Sequence, residues 1–249
     1  MNSDLDSGTA RVALVTGGSG GIGRAVVERL ARDGLAVGVH YAGNKTRADE
    51  TVTAVNRAGG RAVSVSGDVA DERAVSAAFA AVEEEFGGVD VVVNTAGIMR
   101  LSPIATLDLD DLDRTYRTNV RGTFVVSQQA ARRVRPGGAI INFSTSVTRL
   151  GFPTYGAYVA SKGAVEAMTP VLARELRGKD ITVNAVAPGP TATPLFLDGK
   201  DEETIERLAE AAPLERLGTP QDIAEAVAFL AGPARWVNGQ VLFANGGIA

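Results

Sequence analysis

Short, nearly uninterrupted runs of apolar and β-branched residues recur at fairly even intervals along this chain of 249 residues. Strands that are covered on both faces in a parallel sheet have this form, whereas half-exposed antiparallel strands alternate apolar and polar residues. The segments between the runs have helical spacing, as at Val75, Phe79 and Val82. Strand and helix therefore alternate along the chain. The predicted strands are residues 12–16, 36–41, 62–65, 89–94, 139–143, 181–186 and 240–243.

The length of the chain fits either two small domains or one large layered domain. No internal repeat, low-complexity tract or linker-like change in composition divides it. Gly34, Gly59 and Gly87 stand where the first three helices should end, and glycine is common there. Since crossovers between parallel strands are right-handed, the pattern predicts an α/β fold with a doubly wound parallel sheet of about seven strands flanked by helices. We expect a single domain over residues 1–249, with residues 1–9 flexible.

The composition removes several classes of function. The chain has no cysteine and one histidine, His40, so thiolate and histidine-rich metal sites and a Ser-His-Asp triad are excluded, and no metal site is predicted. The net charge is −4 and no basic run is present, which argues against a nucleic-acid partner. We find no signal peptide and no apolar run of the ~18 residues that a membrane span needs. A cytoplasmic protein without a membrane partner is therefore expected.

A glycine-rich segment, TGGSGGIG, follows the first predicted strand and opens the first predicted helix. Glycine allows a tight turn and lets N–H groups at a helix N-terminus approach a phosphate closely. Alone, such a segment could be an ordinary loop, but its position between strand and helix favours a Rossmann-type site for a dinucleotide. The residues expected to contact the dinucleotide here are Gly17, Ser19, Gly21, Ile22, Gly23 and Arg24.

Four short motifs follow one another along the chain. They are T-G-x-x-x-G-x-G in the glycine-rich segment, N-x-A-G after the fourth strand, Tyr158-x-x-x-Lys162, and Pro-Gly after the sixth strand. Together they resemble the short-chain dehydrogenase/reductase family, and in particular its 3-oxoacyl-carrier-protein reductase and polyhydroxynaphthalene reductase branches. The resemblance spans nearly the whole chain. It implies hydride transfer between a nicotinamide cofactor and a small-molecule carbonyl or alcohol.

The resemblance also implies a homotetramer. Two long predicted helices, residues 108–133 and 155–176, and the last strand segment are expected to pack against symmetry mates.

The end of the second predicted strand bears on the choice between NAD and NADP. In dinucleotide-binding folds an acidic residue at this point holds the ribose 2′-hydroxyl of NAD. Tyr41 stands there instead, and no carboxylate follows before Asp49. NADP(H) is therefore the preferred cofactor, with NAD(H) as the alternative. The candidate phosphate contacts, some of which an exposed helix start would also carry, are Arg24, His40, Asn44, Lys45 and Arg47.

The resemblance assigns further cofactor contacts to residues after the third, fourth and sixth strands. Asp68 and Val69 resemble the adenine pocket, although Asp68 could instead be the N-cap of the third helix, a position that Asp71 fits equally well. Asn94 is expected either to line the ribose or to bridge strands. The other residues of this set, among which the threonines could be ordinary turn residues, are Ala96, Gly97, Pro188, Gly189, Thr191 and Thr193.

Tyr158 and Lys162 lie four residues apart in a predicted helix, so their side chains project from one face. A free phenol has a pKa of about 10, and a neighbouring ammonium favours its phenolate. By resemblance Tyr158 is the catalytic acid and base, and Lys162 assists it and positions the nicotinamide ribose. Asn119 resembles the family's helix asparagine, whose neighbourhood holds a water that joins the lysine to solvent.

A hydroxyl that holds the substrate carbonyl is expected after the fifth strand. Thr145 lies thirteen residues before Tyr158, where the family usually has serine, and Ser144 and Ser146 flank it. Neighbours in an extended chain point to opposite faces, so all three cannot face the substrate, and the choice among them stays open. Threonine carries the same donor and acceptor as serine.

Residues 194–212 combine a weak helical pattern with Asp, Gly and Pro, which predicts a lid over the substrate. Leu150, Phe152, Phe196 and Leu197 either line an apolar substrate pocket or belong to the core. The sequence thus predicts NADP(H)-dependent reduction of a ketone to a secondary alcohol, or the reverse reaction.

Three other functions compete with this prediction. An NAD-dependent alcohol dehydrogenase of the same family is the main alternative. A dinucleotide sensor without activity is disfavoured because both Tyr158 and Lys162 are present. A sugar-nucleotide epimerase would need the spacing T-G-x-x-G-x-x-G and a longer C-terminal substrate domain, and neither is seen.

Overall fold

The computed structural model describes residues 10–249, so the expectation for residues 1–9 lies outside the described part. Seven parallel strands form one sheet in the order β3-β2-β1-β4-β5-β6-β7. The order reverses between β1 and β4, which makes the sheet doubly wound and confirms the predicted Rossmann-type α/β fold. The strands are β1 Val12–Thr16, β2 Ala36–Tyr41, β3 Arg61–Ser66, β4 Val89–Asn94, β5 Val134–Phe143, β6 Thr182–Pro188 and β7 Val241–Ala244.

Helices cover both faces of the sheet and form two apolar cores. Along β4, the side chains of Val91 and Val93 join the core that α1 and α10 cover, whereas Val92 joins the core under α3 and α5. The alternation explains why every residue of β4 is buried. The helices are α1 Gly21–Arg32, α2 Lys45–Arg57, α3 Glu72–Phe86, α4 Leu109–Tyr116, α5 Gly122–Arg133, α6 Val147–Leu150, α7 Gly156–Glu175, α8 Pro194–Leu197, α9 Glu202–Glu210 and α10 Pro220–Ala231.

The predicted ends of the first three helices are correct. Gly34, Gly59 and Gly87 have φ between +84° and +87°. Gly87 is the C-cap of its helix, and Gly34 and Gly59 each follow the C-cap by one residue. Glycine adopts this left-handed conformation without the steric cost that a Cβ brings.

One strand begins five residues earlier than predicted. β5 starts at Val134 rather than at residue 139. Its first residues include Arg135 and the following Pro and Gly residues, so they do not form the apolar run by which the strand was predicted. Arg135 donates from Nε to Oδ1 of Asp90 over 2.8 Å and from Nη2 to Oδ2 over 2.5 Å. The ion pair accompanies a register shift between Val89 and Val91. The bounds of β1, β2 and β4 are as predicted, and the ends of β3, β6 and β7 differ from the predictions by one or two residues.

The predicted helix over residues 108–133 is present but is not a uniform α-helix. Asp108 caps its start by accepting from the backbone N–H of Asp110, and a π-helical turn, Arg117–Arg121, joins α4 to α5. A π turn holds one more residue than an α-helical turn and commonly occurs at functional positions. Asn119, at the centre of this turn, is fully buried.

The carboxyl ends of the central strands lie side by side. Thr16 pairs with Asn94, and Asn94 pairs with Asn142 across β1, β4 and β5. In open α/β sheets ligands bind beyond this edge, where the strand order reverses. None of the helices in the described part of the chain has the length and hydropathy that crossing a bilayer requires.

Candidate active site

The glycine-rich segment forms a tight turn between β1 and α1. Gly17 and Gly21 have φ of +65° and +52°, where glycine is favoured over other residues. A methyl group on Gly23 would lie 2.2 Å from the carbonyl oxygen of Gly17, so the helix and the turn touch through bare backbone. A methyl group on Gly17 would lie 3.1 Å from Cα of Ala96, which places the residues after β4 against the same turn.

The N-terminus of α1 has no side-chain cap. Its N-cap residue, Gly20, carries no acceptor, and the first turn contains no acidic residue. Uncapped N–H groups and the helix dipole favour an anion at this position. The tight turn, the bare backbone and the uncapped helix end therefore fit the pyrophosphate of a dinucleotide. Ser19 is half-buried in the turn, and Ile22 faces the adjoining pocket.

Polar side chains join the ends of β1 and β4. The Thr16 hydroxyl donates to Oδ1 of Asn94 over 2.6 Å and accepts from the N–H of Ala96 over 3.2 Å. The Thr95 hydroxyl donates to the carbonyl oxygen of Thr16. Asn94 thus bridges the two strands, as one of the two interpretations of its role predicted.

The segment after β3 is tied to the π turn. Asp68 accepts from the N–H of Ala70 over 2.9 Å and forms an ion pair with Arg117. Val69 is buried and contacts Gly122, where a methyl group would lie 2.7 Å from its Cγ2. The N-cap of α3 is Asp71, which leaves the Asp68 carboxylate free of that function.

The residues around the end of β2 differ in their access to a ligand. Tyr41 is half-buried at the strand end, and Arg47 is exposed on α2. Asn44 caps α2 through Oδ1, which accepts from the N–H of Arg47 over 3.0 Å. Lys45 forms an ion pair with Asp49 over 2.5 Å, and both side chains are largely exposed.

The other two candidate phosphate contacts, Arg24 and His40, differ in their exposure to solvent. Arg24 is exposed and forms an ion pair of 2.8 Å with Glu28. His40 is 2% exposed, and burial lowers its pKa to about 4. Its ring therefore lies inside the fold and is not presented to a phosphate at the surface.

The loop after β6 closes over the glycine turn. Thr193 caps α8 by accepting from the N–H of Phe196 over 3.2 Å, and its Cγ2 would lie 3.5 Å from a methyl group on Gly21. Thr191 is buried and donates to the carbonyl oxygen of Gly189 over 2.9 Å. Pro188 accepts from the N–H of Ser146 over 2.9 Å, so this loop also contacts the segment after β5.

Tyr158 and Lys162 lie on one face of α7, beside the ends of β4 and β5. The Lys162 ammonium is buried, donates to the carbonyl oxygen of Phe143 over 2.8 Å and lies 5.9 Å from the centre of the Tyr158 ring. A methyl group on Gly97 would lie 3.4 Å from the Lys162 nitrogen. Two motifs that are far apart in sequence therefore meet at this point.

Burial shifts both groups toward their neutral forms. It raises the pKa of Tyr158 to about 12, an effect that the neighbouring Thr145 hydroxyl partly opposes. It lowers the pKa of Lys162 to about 8. Removing water disfavours a charge on either group, whatever its sign.

Three consecutive hydroxyls after β5 point in different directions. The Ser144 hydroxyl donates to Oε1 of Glu166 over 2.6 Å, and the Ser146 hydroxyl donates to the carbonyl oxygen of Ala187 over 3.2 Å. The Thr145 hydroxyl accepts from the N–H of Val147 over 3.4 Å and is a hydrogen-bond partner of Tyr158, with which it lines one pocket. The structure therefore favours Thr145 among the three candidates, because each serine hydroxyl donates to a group of the protein.

Asn119 joins the π turn to the neighbouring loop and to α7. Its Nδ2 donates to the carbonyl oxygen of Ile98 over 2.9 Å and to the Ser161 hydroxyl over 3.0 Å. Its Oδ1 accepts from the N–H of Ile98 over 2.9 Å. The Ser161 hydroxyl in turn donates to the carbonyl oxygen of Tyr158 over 2.7 Å.

A mainly apolar pocket opens beside Tyr158. Phe152, Tyr155 and Tyr158 stack edge to face, with ring centres 6.0 and 6.4 Å apart. Of the described residues that line the pocket, Lys162 has the one charged side chain. Leu197 is not among them and is exposed, so it neither lines the pocket nor belongs to the core, the two roles predicted for it. The apolar lining also includes Met99, Leu150, Leu195, Phe196 and Leu208.

Sequence reasoning missed Glu166, Arg117 and Thr95, which hold predicted residues in place. The sequence could have indicated Glu166, since it follows Lys162 by four residues and so lies one helical turn further along the same face. Arg117 and Thr95 gave no signal, because their partners are remote in sequence. Among residues 10–249, no three side chains of the histidine, aspartate or glutamate types cluster as a metal ion would need.

The close approach at Gly23 gives a first prediction. We expect Gly23→Ala to lower the free energy of unfolding by about 1–3 kcal/mol, because the new methyl group displaces the Gly17 carbonyl. Urea denaturation measures the loss. Gly43→Ala is the matched control, since Gly43 has no left-handed φ and no atom lies within 4 Å of the place that its methyl group would take. Equal stability of the two variants would contradict the packing argument.

Comparison with known proteins agrees with this geometry. A family profile described as enoyl-(acyl carrier protein) reductase matches residues 17–249. A short-chain type dehydrogenase/reductase of Picea abies is 44% identical over 248 residues, covering 95% of this chain and 92% of that protein. An NADPH-dependent aldehyde reductase-like protein of Arabidopsis thaliana, described as chloroplastic, is 41% identical, covering 95% of this chain and 93% of that protein.

A solved structure gives the same result for the fold. The short-chain dehydrogenase of Burkholderia cenocepacia, crystallised with NADP, superposes with a TM-score of 0.90 at 40% identity, covering 96% of this chain and 97% of that one. The chain therefore belongs to the short-chain dehydrogenase/reductase family and is an oxidoreductase that acts on CH–OH or C=O groups with a nicotinamide cofactor.

Proposed function

We propose that this enzyme reduces the carbonyl group of a neutral, apolar small molecule to an alcohol with NADPH. The observation that carries the proposal is the convergence of Tyr158, Lys162 and Thr145 at the base of an apolar pocket that adjoins the glycine turn. A carbonyl carbon placed there would lie between a proton donor and the edge of the sheet where the cofactor fits.

The chain supplies acid catalysis, orientation and charge. NADPH, when bound, supplies the hydride that reaches the carbonyl carbon. Thr145 donates a hydrogen bond to the carbonyl oxygen and holds it near Tyr158, whose phenol transfers its proton to that oxygen as the C–H bond forms. The Lys162 ammonium stabilises the negative charge that then develops on Tyr158.

At neutral pH the pKa values leave Tyr158 and Lys162 in the protonation states that reduction requires. With a pKa of about 12, Tyr158 is protonated before a substrate arrives and is ready to act as an acid. With a pKa of about 8, most Lys162 side chains carry a charge at pH 7. We assign to Asn119 the place where the proton is replenished, since its amide lies between the Ile98 backbone and the Ser161 hydroxyl beside α7.

Several features support NADPH over NADH. Tyr41 stands at the strand end where an acidic residue would hold the ribose of NAD, and the next carboxylate along the chain, Asp49, is bound to Lys45. Arg24 on α1, which is paired with Glu28, and Arg47 on α2 are both exposed and are the cations that we assign to a 2′-phosphate. The NADPH dependence of the Arabidopsis relative and the NADP bound to the Burkholderia enzyme point the same way.

Two further assignments complete the proposal. Residues 194–212, which contain α8 and α9, act as a lid, because Leu195, Phe196 and Leu208 form one wall of the pocket. The functional unit is a homotetramer, since Leu109, Phe124 and Val171 leave more than half of their surface exposed on the long helices.

Tyr158→Phe tests the proton donor. The variant keeps the ring and its packing but lacks the hydroxyl, so we expect turnover to fall by at least about 10³-fold while NADPH binding changes by less than about twofold. Initial rates follow the loss of NADPH absorbance over a panel of ketones, aldehydes and quinones, and fluorescence titration measures NADPH binding. Retained turnover would refute the role given to Tyr158.

The pKa of Lys162 predicts the pH dependence of reduction. The rate should be nearly constant from pH 6 to 7 and fall as the pH rises through about 8, because the ammonium that stabilises the Tyr158 phenolate is lost. Tyr158 itself stays protonated throughout this range. Initial rates with saturating NADPH between pH 6 and 10 give the profile. A rate that rises above pH 8 would contradict the assignment.

The cofactor preference can be tested at α2. We expect Arg47→Ala to raise the KM for NADPH by about 10-fold and to leave the KM for NADH unchanged, because a charge-assisted contact to the 2′-phosphate is lost. Arg57→Ala removes the same charge from the exposed end of α2 and is the matched control. A wild-type enzyme that uses NADH as efficiently as NADPH would overturn the assignment.

A further inference from the structure

A carboxylate that the reaction does not use lies behind the Thr145 turn. Oε1 of Glu166, on α7, accepts from the Ser144 hydroxyl over 2.6 Å and from the Thr148 hydroxyl over 2.8 Å. Glu166 is half-buried and is not among the described residues that line the substrate pocket. One oxygen atom therefore holds a residue on each side of Thr145.

The two hydroxyls enclose a single turn of backbone. Ser144 directly precedes Thr145, and its N–H donates to the carbonyl oxygen of Val186 over 2.8 Å. Thr148 lies in α6, and its single hydroxyl hydrogen is shared between Oε1 of Glu166 and the carbonyl oxygen of Thr145, each 2.8 Å from the hydroxyl oxygen. Hydrogen bonds to a carboxylate are shorter and stronger than those between neutral groups, so Glu166 fixes this turn firmly.

The position of Glu166 on α7 links this turn to the reacting groups. It follows Tyr158 by eight residues and Lys162 by four, so all three lie on the same face of one helix. A helix of twenty residues is rigid on this scale, and it sets the distance between the Glu166 carboxylate and the Tyr158 hydroxyl. The helix α7, which carries Tyr158, thus also anchors the turn that carries Thr145.

The direction of the Thr145 hydroxyl depends strongly on the position of its backbone. A β-branched residue has few allowed χ1 values, so the direction of its hydroxyl follows the backbone more closely than that of serine would. A small rotation of this turn would therefore move the Thr145 hydroxyl away from Tyr158. An anchor on both sides of the turn prevents that rotation.

We propose that Glu166 is a positioning residue, whose carboxylate holds Ser144 and Thr148 so that the Thr145 hydroxyl faces Tyr158. This proposal rests on the proposed function, since it assumes that Thr145 holds the substrate carbonyl. It also gives Ser144 a supporting role in place of direct contact with the substrate.

Three variants on α7 test the proposal. Glu166→Ala should lower kcat by about 10- to 100-fold, because a misplacement on the order of 1 Å at the carbonyl has an effect of this size. The dissociation constant for NADPH, from fluorescence titration, should change by less than about twofold. Glu166→Gln should restore most of the activity, since its carbonyl oxygen can accept both hydroxyls. Glu175→Ala, an exposed site on the same helix, is the matched control and should resemble the wild type.

A double-variant experiment separates positioning from general destabilisation. If Glu166 acts through Thr145, then Glu166→Ala should have almost no further effect on kcat in a Thr145→Ala enzyme. If the same 10- to 100-fold loss appears in both backgrounds, Glu166 acts by another route and the proposal fails. Failure of Glu166→Gln to restore activity would also count against it.

Crystal structures of the wild type and Glu166→Ala give a readout that is independent of turnover. We expect the Thr145 hydroxyl to move away from Tyr158 in the variant. If it stays in place, the positioning role is refuted, whatever the enzyme reduces. A wild type that reduces no carbonyl compound with NADPH would instead refute the proposed function, and the displacement of Thr145 would still decide the role of Glu166.

Discussion

The hydrogen bond from the buried Lys162 ammonium to the carbonyl oxygen of Phe143 fixes the relation between α7 and the end of β5. A buried cation is costly unless it is hydrogen-bonded, so this contact constrains the helix strongly. Tyr158 extends from the same helix, and Thr145 follows Phe143 by two residues. The distance between the acid and the hydroxyl partner therefore depends on a contact that neither of them makes.

The cofactor side depends on the absence of side chains. Gly23 approaches the backbone of Gly17, and Ala96 covers the other side of the turn, so the end of β4 and the start of α1 are brought together. A helix N-terminus without a cap then faces the edge of the sheet. In the proposed function, backbone geometry supplies the anion-binding half of the site, whereas long-range side-chain contacts supply the proton-transferring half.

This division explains how much could be predicted from the sequence. The strands, the glycine turn and the pair Tyr158 and Lys162 were predictable, because apolar runs and helical spacing are local patterns. The early start of β5 was not, since its first residues include Arg135, whose ion pair with Asp90 forms only in the folded chain. The choice among Ser144, Thr145 and Ser146 depends on acceptors that are 22 and 41 residues away, and a local pattern does not contain them.

The π turn at Asn119 has a consequence for the two halves of the long helix. One additional residue rotates the following turns by about 100° relative to an uninterrupted α-helix. Accordingly α4 contacts α7, whereas α5 contacts α3 on the other side. The two halves of the long helix thereby pack against two different neighbours. In a helical-wheel diagram of the whole segment the apolar stripe would jump by one position at Asn119, so the change of phase marks the residue that we propose replenishes the proton.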